Sequence, residues 1–173
     1  MISKLTAALK KKVEVPIKEG DIVLYLGASH GITAEIISKI VGKEGFVFCL
    51  DIAPDVVKKL VEVCEKHENM TALLFDANKP EEYKEKITEV NVTYQDITQK
   101  NQVEIFLKNI ARFLKSEGFA IIALKTKSID SVKGKEEVLE RVKKELEEKL
   151  EVISVTDLDP YHKDHYFIVC KKK

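Results

Sequence analysis

Five times along this chain a short β-branched run gives way to a longer stretch whose apolar residues recur at helical spacing, and this alternation restricts the fold more than any other feature. Ile22 to Leu26, Phe46 to Leu50, Ala72 to Phe75 and Val90 to Tyr94 read as strands. FAIIALK, residues 119–125, is the most continuously apolar run, as a strand covered on both faces must be. Between these runs Ile36, Ile37, Ile40 and Val41 mark one helix face, and Val57, Leu60, Val61 and Cys64 mark another. Pro80 to Ile87 reads as a short helix, and Val103, Phe106, Leu107, Ile110, Phe113 and Leu114 fit the helical template best. Glu117-Gly118 is read as the turn into FAIIALK. Leu139, Val142, Leu146 and Leu150 form a last helix stripe. Val152 to Thr156 and Tyr166 to Cys170 then follow with only DLDPYHKDH between them, which predicts an antiparallel pair. The expected fold class is α/β, a mostly parallel seven-stranded sheet with helices on both faces and an antiparallel terminal strand. No repeat, low-complexity tract or linker interrupts the pattern, so residues 1–173 are expected to form a single domain.

Lysine plus arginine and aspartate plus glutamate each total 29, so no overall positive field exists to hold a polyanion; such a partner must meet a local patch or be delivered by another protein. The lone thiols Cys49, Cys64 and Cys170 lie far apart among apolar neighbours, which suits a reducing compartment and implies no disulfide framework. No run approaches the roughly 18 apolar residues of a membrane span, and the N-terminal stretch has no cleavage-site pattern. A soluble, cytoplasmic protein with no membrane partner is expected.

In a doubly wound sheet the ligand crevice lies beyond the carboxyl ends of the strands. The first of these ends carries Gly27-Ala28-Ser29-His30-Gly31, where Gly27 permits a sharp turn and Gly31 lets a helix begin close to a ligand. The second ends at Asp51, about 20 residues beyond the glycine loop, where an acid is placed to bind ribose hydroxyls. Asp76 ends the third, Asp96 the fourth and Lys125 the fifth. Glycines with these carboxylates favour a nucleoside ligand, although Asp51 and Asp76 each precede a proline closely and are also placed to cap the next helix.

YLGASHGIT, DIAP, DANKPEEY, DITQKNQ, LKTKSID and DPYHKDH fall in the order and spacing of fibrillarins, and the archaeal members look most similar. The resemblance runs from about Ser3 to Val169 and implies a class I, Rossmann-like methyltransferase. It implies transfer of methyl from S-adenosylmethionine to ribose 2′-hydroxyls of rRNA or tRNA. The family acts in a box C/D guide ribonucleoprotein together with a guide RNA, a Nop-domain scaffold protein and a kink-turn-binding ribosomal-type protein. By the same resemblance Gly27, Ala28 and Gly31 face the methionine part of the cofactor, Asp51 the ribose, and Asp76 with Ala77 the adenine. Asp96 and Gln99 border the methyl group, and Thr33 and Ile52 complete the cofactor-binding set. A family tetrad of the form Lys-Asp-Lys-His falls on Lys4, Asp96, Lys125 and His165. Fibrillarins normally also carry a small β-rich N-terminal domain, which this chain is expected to lack, leaving Lys4 near a terminus where fraying is common. A shortened, non-catalytic assembly or RNA-binding subunit is the alternative, and a small-molecule methyltransferase a third reading.

Such a tetrad has a physical rationale. A 2′-hydroxyl is a poor nucleophile and a sulfonium methyl is already activated, so the work is alignment and proton removal. Lys125 is the candidate base or polariser, Asp96 is placed to orient both ammonium groups, and His165 to hold the arrangement or pass on the proton. Cys64-x-x-His67 and His162-x-x-His165 do not amount to a zinc set, so no metal is expected. Lys127, Lys133 and Lys135 form a candidate phosphate-facing patch beside Lys125.

Overall fold

Strands form where the β-branched runs lie. β1 (Ile22–Leu26), β2 (Phe46–Asp51), β3 (Met70–Leu74), β4 (Val90–Gln95), β5 (Leu114–Lys125), β6 (Leu150–Asp157) and β7 (His165–Lys172) make one sheet of order β3-β2-β1-β4-β5-β7-β6. The computed structural model describes residues 1–173. The first five strands pair in parallel, while β7 runs antiparallel to both β5 and β6. The expected mixed sheet is therefore observed, with the last strand lodged inside it and β6 at the edge.

The helices are α1 (Lys4–Lys10), α2 (Ile32–Val41), α3 (Pro54–Cys64), α4 (Gln102–Phe113), α5 (Thr126–Ile129) and α6 (Lys135–Glu147). Alternation of side chains along each strand divides the core in two. Leu24, Ile122 and Ile168 face Phe106 and Ile110 of α4 and Val142 of α6. Tyr25, Tyr94, Ile121 and Phe167 face Leu5 and Ala8 of α1, Ile37 of α2 and Leu60 of α3. The same alternation decides where the strand ends aim. Two steps beyond Tyr94 is Asp96, four beyond Ile121 is Lys125 and two before Phe167 is His165, so all three belong to the face on which α1 lies.

Five local expectations are corrected. Pro80 to Ile87 is not one helix but two 3₁₀ turns, Pro80–Glu82 and Lys84–Lys86, because Tyr83 between them is drawn fully into the core, where its hydroxyl bonds Asn109. Glu117-Gly118 does not precede the strand but lies within β5 as an irregularity, with Glu117 at φ +67° where the β4–β5 register breaks. Leu150 opens β6 instead of closing the helix stripe, and Leu114 likewise opens β5 directly after α4 ends at Phe113. The N-terminal segment is anchored from Ser3 onward: Ser3 caps α1 by accepting the Thr6 N–H at 3.0 Å, and Leu5, Ala7 and Ala8 are fully buried.

Candidate active site

The end of β1 is where the chain is most constrained. Gly27 sits at φ +81°, its N–H donates to the Leu50 carbonyl, and a Cβ there would overlap the Asp96 carbonyl. Asp96 is drawn to the same spot by its own N–H, which bonds the Leu26 carbonyl at 3.0 Å. Two cavities meet at this point. One, of about 210 Å³, lies over the ends of β2, β3 and β4 and is lined by Gly27, Leu50, Asp51, Ile52, Phe75, Asp76, Ala77, Asp96, Ile97, Thr98 and Gln99. The other, of about 480 Å³, is lined by Met1 to Lys4, Tyr25, Gly27 to His30, Ile32, Thr33, Asp96, Thr98 and His162. Together they fall within the roughly 300–1,000 Å³ of small-molecule sites.

Neither Asp51 nor Asp76 caps a helix; Ala53 holds that place for α3 and Lys79 for the first 3₁₀ turn. Asp51 instead ties two loops together, accepting the Ser29 N–H at 2.9 Å and the Ala53 N–H at 3.2 Å. Ser29 is thereby held at φ +52°, so the glycine loop and the second strand end act as one unit. Asp76 accepts both the backbone N–H and the side-chain amide of Asn78, and these bonds, the backbone one foremost, hold its carboxyl below the usual carboxylate range. Asn78 also donates to Gln99 and accepts from Asn101, linking the loops after β3 and β4.

Gly31 departs from its expected role. It adopts φ +95°, but a Cβ would meet Val63 and Leu60 at 3.1–3.2 Å, so its lack of a side chain serves the packing of α2 on α3 and not an opening toward the cavities. Ala28 and Thr33 do line the larger cavity, as Ile52, Ala77 and Gln99 line the smaller. Burial, and secondarily the charge of Asp96, pushes the Tyr25 hydroxyl up, so it stays a protonated hydrogen-bonding group beside Thr33.

Lys4 Nζ lies 3.0 Å from Asp96 Oδ2, with the two side chains 23% and 17% exposed. Such a pair contributes at most about 1 kcal/mol, so the apolar burial of α1 holds the helix and the ion pair orients charge. Asp96 was expected to orient both ammonium groups; it pairs with Lys4 and not with Lys125. Lys125 and His165 lie outside the two cavity linings but are opposite one another across β5 and β7, so their side chains share a face. His165 Nδ1 is 2.8 Å from the Lys163 carbonyl, which can only accept, so Nδ1 carries the proton; Nε2 is buried and has no partner. Burial lowers the His165 pKa below the ordinary 6.5, and Lys4 and His162 add to this against the opposing pull of the Lys163 carbonyl and Asp96. The ring is thus neutral at pH 7, with Nε2 a free acceptor.

That shift has a consequence for stability. A folded-state pKa below the unfolded one means that the contribution of neutral His165 is complete above about 6.5 and is lost as pH falls through the lower folded value. Between pH 7 and pH 5 the wild type should therefore lose more stability than His165→Gln, as read by urea unfolding of both at the two values.

The phosphate-facing patch is mostly spent on the protein itself. Lys135 binds Asp157 at 2.7 Å and Lys133 reaches Glu137 at 3.5 Å, leaving Lys127 outside these pairs. Sequence reading missed Tyr25, Ile97, Thr98, Asn78, Asn101, His162 and Gln102. For Ile97 and Thr98 the signal was present, since they simply continue the loop begun by Asp96; His162 comes near Lys4 only through the return of the chain into β7.

The fibrillarin family profile matches residues 1–173. The fibrillarin-like rRNA/tRNA 2′-O-methyltransferase of Thermococcus sibiricus is 43% identical over 171 residues, 98% of this chain and 76% of that protein. The fibrillarin of a fibrillarin/Nop5p complex superimposes with a TM-score of 0.95 at 38% identity, over 99% of this chain and 81% of that one. Aeropyrum pernix fibrillarin, solved with natively bound S-adenosyl-L-methionine, gives a TM-score of 0.88 at 38% identity, over 96% and 74% of the two chains. A strand-end site built on Gly27, Asp51, Asp76 and Asp96, with the profile matched along the whole length, leaves one conclusion: the chain belongs to the fibrillarin family.

Proposed function

We propose that residues 1–173 act as one S-adenosylmethionine-dependent methyltransferase unit that modifies ribose 2′-hydroxyls of rRNA and tRNA. The observation that supports this reading is that the Lys4–Asp96 pair, beside Gly27 where the two cavities meet, and the Lys125–His165 pair, opposite one another across β5 and β7, belong to the same face of the sheet. The cofactor fits the residues present. Its adenosine would be held by Asp51, Asp76 and Ala77 against the apolar Ile52 and Phe75, with Ala28 and Thr33 toward its methionine end. When bound, S-adenosylmethionine supplies a methyl group already activated on a sulfonium.

What remains for the chain is to align a ribose hydroxyl and take its proton, steps that general-base help accelerates by roughly 10²–10⁴. Lys125 supplies the cation that would polarise the hydroxyl, and His165 opposite it, its Nε2 buried and unpartnered, would hold Lys125 in place or take up the proton passed on to it. Asp96 fixes Lys4, and burial first, with the Lys4 charge adding to it, keeps the His165 ring uncharged.

The formal charge is zero, which suits RNA affinity borrowed from other components. The proposed setting is a cytoplasmic box C/D particle with a guide RNA, a Nop-domain scaffold and a kink-turn-binding ribosomal-type protein; the Nop5p complex of a related fibrillarin supports the scaffold. No helix is long and apolar enough to cross a membrane. The test is transfer of labelled methyl from S-adenosylmethionine to a guided RNA, with and without the scaffold. Incorporation at one ribose, dependent on the scaffold, is expected. Cofactor binding with no methylated RNA in the complete particle would instead support a non-catalytic subunit.

A further inference from the structure

We infer that Gln102 is a positioning residue for Lys125, an inference that rests on the catalytic reading above and deepens it. β4 pairs with β5 only as far as Gln95↔Ile122, so the end of β5 faces a place where no neighbouring strand continues. At Lys125 that place is filled by the Gln102 side chain. Its Oε1 accepts the Lys125 N–H at 3.0 Å and its Nε2 donates to the Lys125 carbonyl at 3.3 Å. One side-chain amide thus makes both bonds that the peptide group of an adjacent strand would make.

The rest of Gln102 is equally committed. Nε2 also donates to the Gln99 carbonyl at 2.9 Å, and the Gln102 carbonyl accepts from Gln95 Nε2 at 2.7 Å. The residue is fully buried at the first turn of α4, so these partners are not exchanged for water. An amide offers one accepting oxygen and two N–H donors, which is what this position uses. A carboxylate would turn lone pairs on two carbonyls, and an apolar isostere would withdraw a partner from three backbone groups, the Lys125 N–H and the carbonyls of Lys125 and Gln99.

The clamp fixes more than the height of Lys125. With its N–H and C=O both turned toward Gln102, Lys125 cannot exchange backbone bonds with β7, and the bond across to that strand comes from the next residue, Thr126 N–H to the Asp164 carbonyl at 3.0 Å. Lys125↔His165 is therefore a non-hydrogen-bonded pair, in which Cα atoms approach to about 4.5 Å instead of about 5.5 Å and side chains stand closer. Gln102 touches neither cavity; it acts by holding the strand end that sets the Lys125 side chain against His165.

The experiment compares wild type with Gln102→Met and Gln102→Asn in the complete guided particle, the shorter amide being included in case the apolar variant does not fold. For folded protein, kcat at saturating cofactor and RNA should fall about tenfold to a hundredfold, the range expected for misplacement of a reacting group by about an ångström. The cofactor Kd from calorimetry should change by less than about threefold, so the loss appears in kcat and not in KM. Exchange of the Lys125 amide hydrogen should quicken in the same variants. A folded variant whose kcat stays within about twofold of wild type, or falls only in step with cofactor affinity, overturns the inference. Retained turnover in Lys125→Ala would instead overturn the catalytic reading, so the two failures are told apart.

Discussion

Lys125→Ala is expected to bind S-adenosylmethionine like the wild type while losing methyl transfer by roughly 10²–10⁴-fold. The Lys125 side chain lines neither cavity, so cofactor affinity does not depend on it. The fold does not depend on it either: what the structure uses of this residue is its backbone, clamped by Gln102, and alanine keeps both of those groups. The loss should therefore fall on the chemical step, visible as a reduced single-turnover rate at saturating cofactor with an unchanged Kd by calorimetry. Turnover near the wild-type rate from correctly folded protein would remove Lys125 from the reaction.

The second large effect concerns the glycine loop. In Gly27→Ala the new methyl collides with backbone, the Asp96 carbonyl, where no rotamer change gives relief, and the Ile97 side chain stands 2.8 Å away. A non-glycine residue held at positive φ costs roughly 1–3 kcal/mol before that overlap is counted. Relief requires the end of β4 to move, and with it Asp96, the wall common to both cavities and the partner of Lys4. Urea unfolding should show the lost stability, and cofactor Kd should rise by at least about tenfold, equivalent to about 1.4 kcal/mol. Gly31→Ala is the control. Its methyl presses on Leu60 and Val63, so it should lose stability of similar size with much less effect on cofactor affinity. Equal loss of affinity in both would mean that the loop responds as a whole and not through Asp96.

Periodicity was enough to locate strands and major helices because each buries one face or stripe, and burial is what the period records. It was also enough to put Asp51, Asp76, Asp96 and Lys125 at or just beyond strand ends, since that needs only strand boundaries. Where reading by pattern failed, the deciding contact lay far off in sequence. Tyr83 breaks a helix because Asn109 receives its hydroxyl, and α1 is stable because the second core accepts Leu5 and Ala8. Gly31 looked like a ligand cradle because a turn that meets a ligand and a turn that packs on α3 require the same residue. Gln102 gave no local signal: its task is defined by the point at which β4 stops pairing with β5. The resemblance pointed to Lys4 and His165; strand alternation explains why His165 shares a face with Lys125, and the docking of α1 on that face explains how Lys4 reaches Asp96.

β7 is the last strand in chain order, yet it lies between β5 and β6. During synthesis from the N-terminus, β5 must wait with an open edge until every other strand has been made, and β6 has nothing to join. Neither His165, which faces Lys125, nor His162, whose Nε2 meets the Ile2 carbonyl at 2.8 Å, can take its place before then. A growing chain thus completes the loops after β1 to β4 early and the segment that carries His162 and His165 late. Until then the β5 edge is open to pairing with another chain, so the partly made protein is most prone to association at that edge.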